Sequence, residues 1–419
     1  MAEQNCLVGK RDGDVIRELA KRVYELSCQE VNEERRKRLC AANDLHTGLR
    51  PGVWLNELPW HEMNFDGTLT LRCEGAFAKE MEQYFRRILF RWEHFQADMV
   101  VEGYYPLDKS FENSGNGVEV QEDVRKTDDG NHIVSHAYYD VLDTEEKLAA
   151  MRTPVLTAHP EIDRHNQELA ETLLDGILPV RLCGTQIYYA PWDEIARLRG
   201  VEPILFDMVD RPEFLHQIIG KYAENQMSVL TQLEELGLLE DQLLDLHCTP
   251  PYTDDLLKSA PGEKVKLKNV WFRSMAQMFS TVSPAMHDEF EMEYMRPLME
   301  RCGLVYYGCC EPLDNKIDLL KTIPNMRKIG VSPWADVESC TEQLGKDYVC
   351  ARKPNPAFVA IEFDRDVVRK KTEETIRACI RHGCPYEFVL KDISTVSHHP
   401  ENLIEWNRVV QETIDRYYK

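Results

Sequence analysis

The stretch Leu304-Val305-Tyr306-Tyr307-Gly308-Cys309-Cys310-Glu311-Pro312 leads into the helix-like Asn315-Lys316-Ile317-Asp318-Leu319-Leu320 and then into Met326-Arg327-Lys328-Ile329-Gly330-Val331. A short apolar run, a turn, a helix and a second apolar run form one βαβ unit. The same grammar extends in both directions. Upstream runs are Val53-Trp54-Leu55, Asp98 to Gly103, Pro179 to Gly184 and Leu243 to His247; downstream runs are Tyr348 to Ala351 and Tyr386 to Leu390. With Leu304–Gly308 and Met326–Val331 these make eight expected strands alternating with helices, which predicts a (β/α)8 TIM barrel, an α/β fold. A doubly wound sheet would carry a Gly-rich phosphate turn after an early strand, and the chain has none. It also has no Walker motif and no Gly-x-Ser-x-Gly elbow.

Ahead of the barrel, Ile16, Leu19, Val23 and Leu26 recur at helical spacing behind Asp14, an expected N-cap. The helix is expected to run to about Cys40. Residues 1–45 therefore read as a helical N-terminal extension, and 46–419 as the barrel. A further helix carries Phe77, Met81, Phe85, Leu89 and Trp92. Two insertions are expected, a polar one at 107–150 with Gly115, Gly117 and Gly130, and an irregular one at 250–282. The last helix, from Pro400, shows Leu403, Trp406, Val410 and Ile414 on one face.

The 419 residues are 43% hydrophobic, enough for a core, and the net charge of −22 argues against nucleic acid and anionic membranes as partners. No export signal is visible at Met1–Cys6 and no apolar run reaches a membrane span, so a cytoplasmic protein is expected. The 13 cysteines are odd in number and irregularly spaced, which speaks against a disulfide framework. Cys28, Cys40, Cys302 and Cys379 lie in helical patterns and read as buried small hydrophobes.

Reactive groups of a TIM barrel gather where strands end. Those ends offer Glu102, Tyr104 and Tyr105; Cys183 and Gln186; His247 and Cys248; Cys309, Cys310 and Glu311; Ser332, Trp334 and Asp336; Cys350 and Arg352; and Lys391, Asp392 and Ser394. Sulfur and imidazole on one open face match zinc, which as a catalytic ion takes about three protein ligands. Cys310, Cys350 and His247 are the expected ligands, with Cys309 or Asp392 as substitutes. Adjacent Cys309 and Cys310 are expected to diverge, so that one of them binds. The competing reading makes these thiols ordinary buried side chains. Glu311, Asp392 and Glu102 are the expected proton donors. Tyr104, Gln186, Tyr307 and Trp334 are the expected substrate wall. His398-His399 reads as a surface pair at the start of the last helix.

The order of segments resembles the uroporphyrinogen decarboxylase superfamily, from about residue 50 to the end. Arg181-Leu182-Cys183-Gly184-Thr185-Gln186 is similar to its Gly-Phe-Ala-Gly-Gly-Pro strand. Trp271–Phe290 with Ser283-Pro284, Asn355-Pro356, and Pro400-Glu401-Asn402-Leu403 resemble three further motifs. The resemblance implies a TIM barrel. The family's arginine-rich substrate segment is replaced by Trp54-Leu55-Asn56-Glu57-Leu58-Pro59-Trp60, and its Gly-His-Gly by Lys391-Asp392-Ile393. An acidic pocket would repel a porphyrinogen's carboxylates, so porphyrinogen decarboxylation is not expected. The corrinoid-linked methyltransferases of anaerobic microbes belong to the same superfamily, and some hold zinc through His-x-Cys after strand five and a Cys after strand eight. Here those places read Tyr307-Gly308-Cys309-Cys310 and Asp392, with Cys350 as a replacement. The resemblance thus implies a methyltransferase moving a methyl group from a small methylated donor, such as an aryl methyl ether (O-demethylation), to the cobalt of a corrinoid partner protein with zinc assistance. The alternatives are a non-catalytic corrinoid- or tetrapyrrole-binding barrel and a decarboxylase-like lyase on a small acid. A homodimer is allowed.

Overall fold

The computed structural model describes residues 9–95, 97–126, 134–260 and 262–418. Met1–Cys6 and Gly130 lie outside the described residues.

Thirteen strands are described. They are β1 (Gly52–Trp54), β2 (Tyr105–Asp108), β3 (Phe111–Asn113), β4 (Glu122–Arg125), β5 (Ser135–Tyr138), β6 (Leu156–Ala158) and β7 (Val180–Cys183), followed by β8 (Ile187–Tyr189), β9 (Trp271–Ser274), β10 (Leu304–Tyr307), β11 (Met326–Val331), β12 (Val349–Arg352) and β13 (Tyr386–Val389). Seven of them form one parallel sheet in the order β1-β13-β12-β11-β10-β9-β8. The first strand flanks the last, which is the cyclic order of a barrel interrupted at one seam. The ladder does not close among the described residues. The parallel pair β2-β7 forms a separate two-stranded ladder. The polar insertion holds the antiparallel hairpin β4-β5, and β3 pairs antiparallel with β6.

Two expected strands are corrected. Asp98–Gly103 makes no strand: the Asp98 carboxylate accepts the Val53 N–H at 2.7 Å, while its own N–H reaches Val53 O at 2.8 Å. A side chain has replaced the ladder there. Leu243–His247 is also not a strand. Leu246 turns back on Thr249 through an isolated bridge, and His247 and Cys248 both have positive φ. The strand of this part of the fold is β9, inside the expected irregular stretch 250–282. It pairs with β10 and β8 in unbroken parallel register.

The strands alternate between two environments, as a pleat requires. Phe272, Val305, Tyr307, Ile329, Val331, Cys350 and Phe388 face outward into the main apolar core beneath the helices. Arg365–His382 and Glu401–Ile414 supply part of that helical layer, with Leu403, Trp406, Val410 and Ile414 buried as the pattern predicts. The opposite face carries Arg273, Tyr306, Lys328, Lys353, Glu387 and Lys391, all buried. Lys328 Nζ donates to Glu387 Oε1 at 2.9 Å.

The N-terminal helix is two helices, Lys10–Ser27 and Val31–Asn43, divided at Cys28. Asp14 does not cap it. Asp12 instead accepts the N–H groups of Glu74 and Gly75, just ahead of helix Ala76–His94, at 3.0 and 2.9 Å. Ile16, Leu19 and Val23 pack with Met81 and Phe85. Cys28, expected inside, is exposed, and Cys40 is half-buried; Cys302 and Cys379 are buried. No described helix is long and apolar enough to cross a membrane.

Candidate functional site

The C-terminal ends of β10 and β13 bring together the most reactive groups of the chain. Gly308 has a φ of 96°, a conformation that L residues rarely adopt. The chain leaves β10 through it and turns, so that consecutive side chains no longer alternate. Cys309 Sγ and Cys310 Sγ lie 3.7 Å apart. The expected divergence of the two cysteines is therefore corrected, since that expectation assumed extended backbone. From the end of β13, Lys391 Nζ donates to Cys309 Sγ at 2.8 Å. Cys310 Sγ donates to Asp392 Oδ2 at 2.7 Å. Asp392 Oδ1 stands 3.2 Å from Lys391 Nζ. The ligand atoms of Cys309, Cys310 and Asp392 all lie within 4.8 Å of one another.

The tight turn at His247 and Cys248 completes the surroundings of Cys309. Both side chains hydrogen-bond the Cys309 sulfur, and His247 stacks on Tyr188 with centroids 4.3 Å apart. The contacts with Cys248 and then Cys310 outweigh burial and, with His247 and Lys353, lower the Cys309 thiol below its usual range. Cys248 is pushed up by burial and by its bond to Cys309, and Cys310 is pushed up by its bond to Cys309 and by burial. Burial opposes the charge on Lys391, but the Cys248 and Cys309 sulfurs, Asp392 and Glu57 together hold it raised.

Glu311 is buried and faces backbone. Its oxygens accept Cys309 N–H at 2.8 Å and Ala276 N–H at 3.2 Å, which fixes the turn carrying the sulfurs. Burial and the Cys309 charge raise its pKa.

The other expected site residues are placed elsewhere. Cys350 lies on the outward face of β12, within hydrogen-bonding reach of Cys379 in the main core. Its strand position dictates this, because Ala351 and Lys353 take the inward face. Tyr307 also points outward and is fully buried; its hydroxyl donates to Glu291 Oε1 at 2.8 Å and meets His287 Nε2 at 2.8 Å. Glu102 pairs with Arg36 at 2.8 Å. With Tyr104 it lines a cavity of about 240 Å³ beside Trp271, the first residue of β9, so both sit at the opposite end of the strands from Cys309. Gln186 lines a cavity of about 370 Å³ with Asp108, Cys183 and Asp245. Trp334 is 69% exposed. His398 and His399 are exposed ahead of helix Glu401–Ile414. Sequence reasoning placed Lys391 and Cys248 at strand ends but gave them no role. Their signal was an apolar run, Val389-Leu390 or Leu246, broken by one polar side chain. All twelve described cysteines are free thiols.

No protein-family model matches the chain, and no curated protein matches it. Among solved structures, the chain is similar to a methyltransferase from Methanosarcina mazei, with 11% identity and a TM-score of 0.49 over 92% of this chain and 99% of that one.

Proposed function

We propose that the protein is a methyltransferase that passes the methyl group of a small methylated donor, an aryl methyl ether foremost, to the cobalt of a corrinoid on a partner protein. The observation that carries the reading is the cluster of Cys309, Cys310 and Asp392 on one strand-end face, with the Lys391 ammonium donating to the Cys309 sulfur. Two sulfurs and a carboxylate are a donor set that fits zinc. His247, which hydrogen-bonds Cys309, is an imidazole beside that set. Zinc held there would act as a Lewis acid on the leaving oxygen of the donor.

The chain's own groups supply the rest. Lys391 is adjacent to the sulfurs and to Asp392, so its ammonium can deliver the proton that neutralises the leaving group. Glu311 holds backbone, Glu102 lies at the far end of the strands and Asp392 belongs to the metal set in this reading, so the proton is assigned to Lys391. Tyr188 and His247 give a flat wall for an aromatic donor.

The test is metal analysis of the purified protein beside Cys310→Ser, Asp392→Asn and Cys350→Ser. About one zinc per chain in the wild type and in Cys350→Ser, with loss in the other two, is the expected result. Methyl transfer from a methoxyaromatic panel to reduced corrinoid protein completes it. Absence of metal, or no transfer from any donor in zinc-replete protein, sinks the reading.

A further inference from the structure

The inward face of the sheet is built for negative charge. Arg273, Lys353 and Lys391 are each at most 5% exposed. Among the described residues, neither Arg273 nor Lys353 has a carboxylate within ion-pair distance. Arg273 donates to Ser274 O and, at 3.7 Å, to Met275 Sδ, and its Nε has no partner although it is fully buried. Its guanidinium lies 4.1 Å from the Tyr306 ring and 5.9 Å from the Tyr188 ring. Lys353 Nζ donates to the Tyr306 hydroxyl. The acids at longer range are already engaged. Glu387 is bonded by Lys328, and Glu311 is bonded by two backbone N–H groups.

Three buried cations therefore gather around the Cys309 sulfur, with the half-exposed Asp392 paired to Lys391. A buried charge without a partner is expensive, and folding tolerates it where a ligand supplies the counter-charge. A guanidinium fork and an ammonium together match the planar oxygens of a carboxylate. The flanking rings of Tyr188, Tyr306 and His247 match an aromatic body.

We infer that Arg273, Lys353 and Lys391 form an anion subsite that binds the carboxylate of an aromatic acid beside the Cys309 sulfur. This deepens the proposed function by making the methyl donor a carboxylated aromatic, and it rests on that reading only for the word donor.

The experiment is calorimetric binding of benzoate, its neutral analogue benzamide and inorganic phosphate to the purified protein, repeated on Arg273→Gln and Lys353→Met. The expected result is benzoate binding about tenfold or more tighter than benzamide, a preference lost in both variants. Should one variant fail to fold, the other and the wild-type comparison still decide. Equal binding of benzoate and benzamide, a preference for phosphate, no binding of benzoate, or a preference that survives both substitutions overturns the inference. These measurements need neither metal nor corrinoid. Zinc and methyl transfer without benzoate selectivity would remove this subsite alone, whereas selectivity without zinc would remove the methyltransferase reading alone.

Discussion

Lys391 Nζ lies 2.8 Å from Cys309 Sγ although β11 and β12 stand between their strands in the sheet. Three strand spacings span about 14 Å in a flat sheet. A lysine side chain does not bridge that distance along the surface, so the contact runs across a concave interior. Curvature of the sheet is thus what joins the two halves of the site.

Removing that ammonium should release the sulfur. In metal-free Lys391→Met, the Cys309 thiolate is expected to titrate upward by about 1–3 pH units relative to the wild type. The difference in ultraviolet thiolate absorbance against Cys309→Ala measures it. An unchanged titration would mean that the other donors alone hold the charge.

A second expectation concerns the carboxyl behind β10. Burial, only partly offset by the Tyr307 hydroxyl and Lys316, pushes Glu291 up to about 8. In the unfolded chain it titrates near ~4.3. Between those values the native state keeps a proton that the unfolded state releases, so stability falls as pH rises through that window. Glu291→Gln retains an acceptor for Tyr307 and removes the dependence. It should stabilise the protein at pH above about 8 by on the order of 3–5 kcal/mol and leave it nearly unchanged below about pH 4. Denaturant titrations at the two extremes check this. His287 works in the other direction: burial, followed by the Lys316 charge, lowers it to about 3, so its contribution is lost as pH falls through the range below about 6.5.

Lys328 and Glu387 form a fully buried pair. Lys328→Met strands the carboxylate and should cost about 3–5 kcal/mol in urea unfolding. The double change Lys328→Met with Glu387→Leu should recover more than half of that. A double variant no more stable than the single one would show that Lys353, the next cation toward Glu387, had already taken over the pairing.

The strands β10, β11 and β13 were legible because their outward residues form short apolar runs bounded by Gly308, Ser332 and Lys391. β9 was missed because its inward residue is Arg273, and Trp-Phe-Arg-Ser does not read as a buried strand. Leu243–Leu246 was mistaken for one because its leucines are apolar, although Leu246 is buried against Trp271 and Tyr306 inside the curve with no ladder of its own. Cys309 and Cys310 stood out in the sequence, but their approach depends on the backbone sign at Gly308, which composition does not encode. Cys350 looked equivalent to them because a linear reading assigned its strand end to the mouth, whereas the pleat of β12 turned its sulfur to the helical side.

Because Cys309 and Lys391 hang from separate strands that only bending brings within reach, their contact works as a strain gauge for the wall between them. A slackening of β11 or β12, from heat, a cavity or a docking partner, would register first as a loosened grip on one sulfur, before any helix had moved.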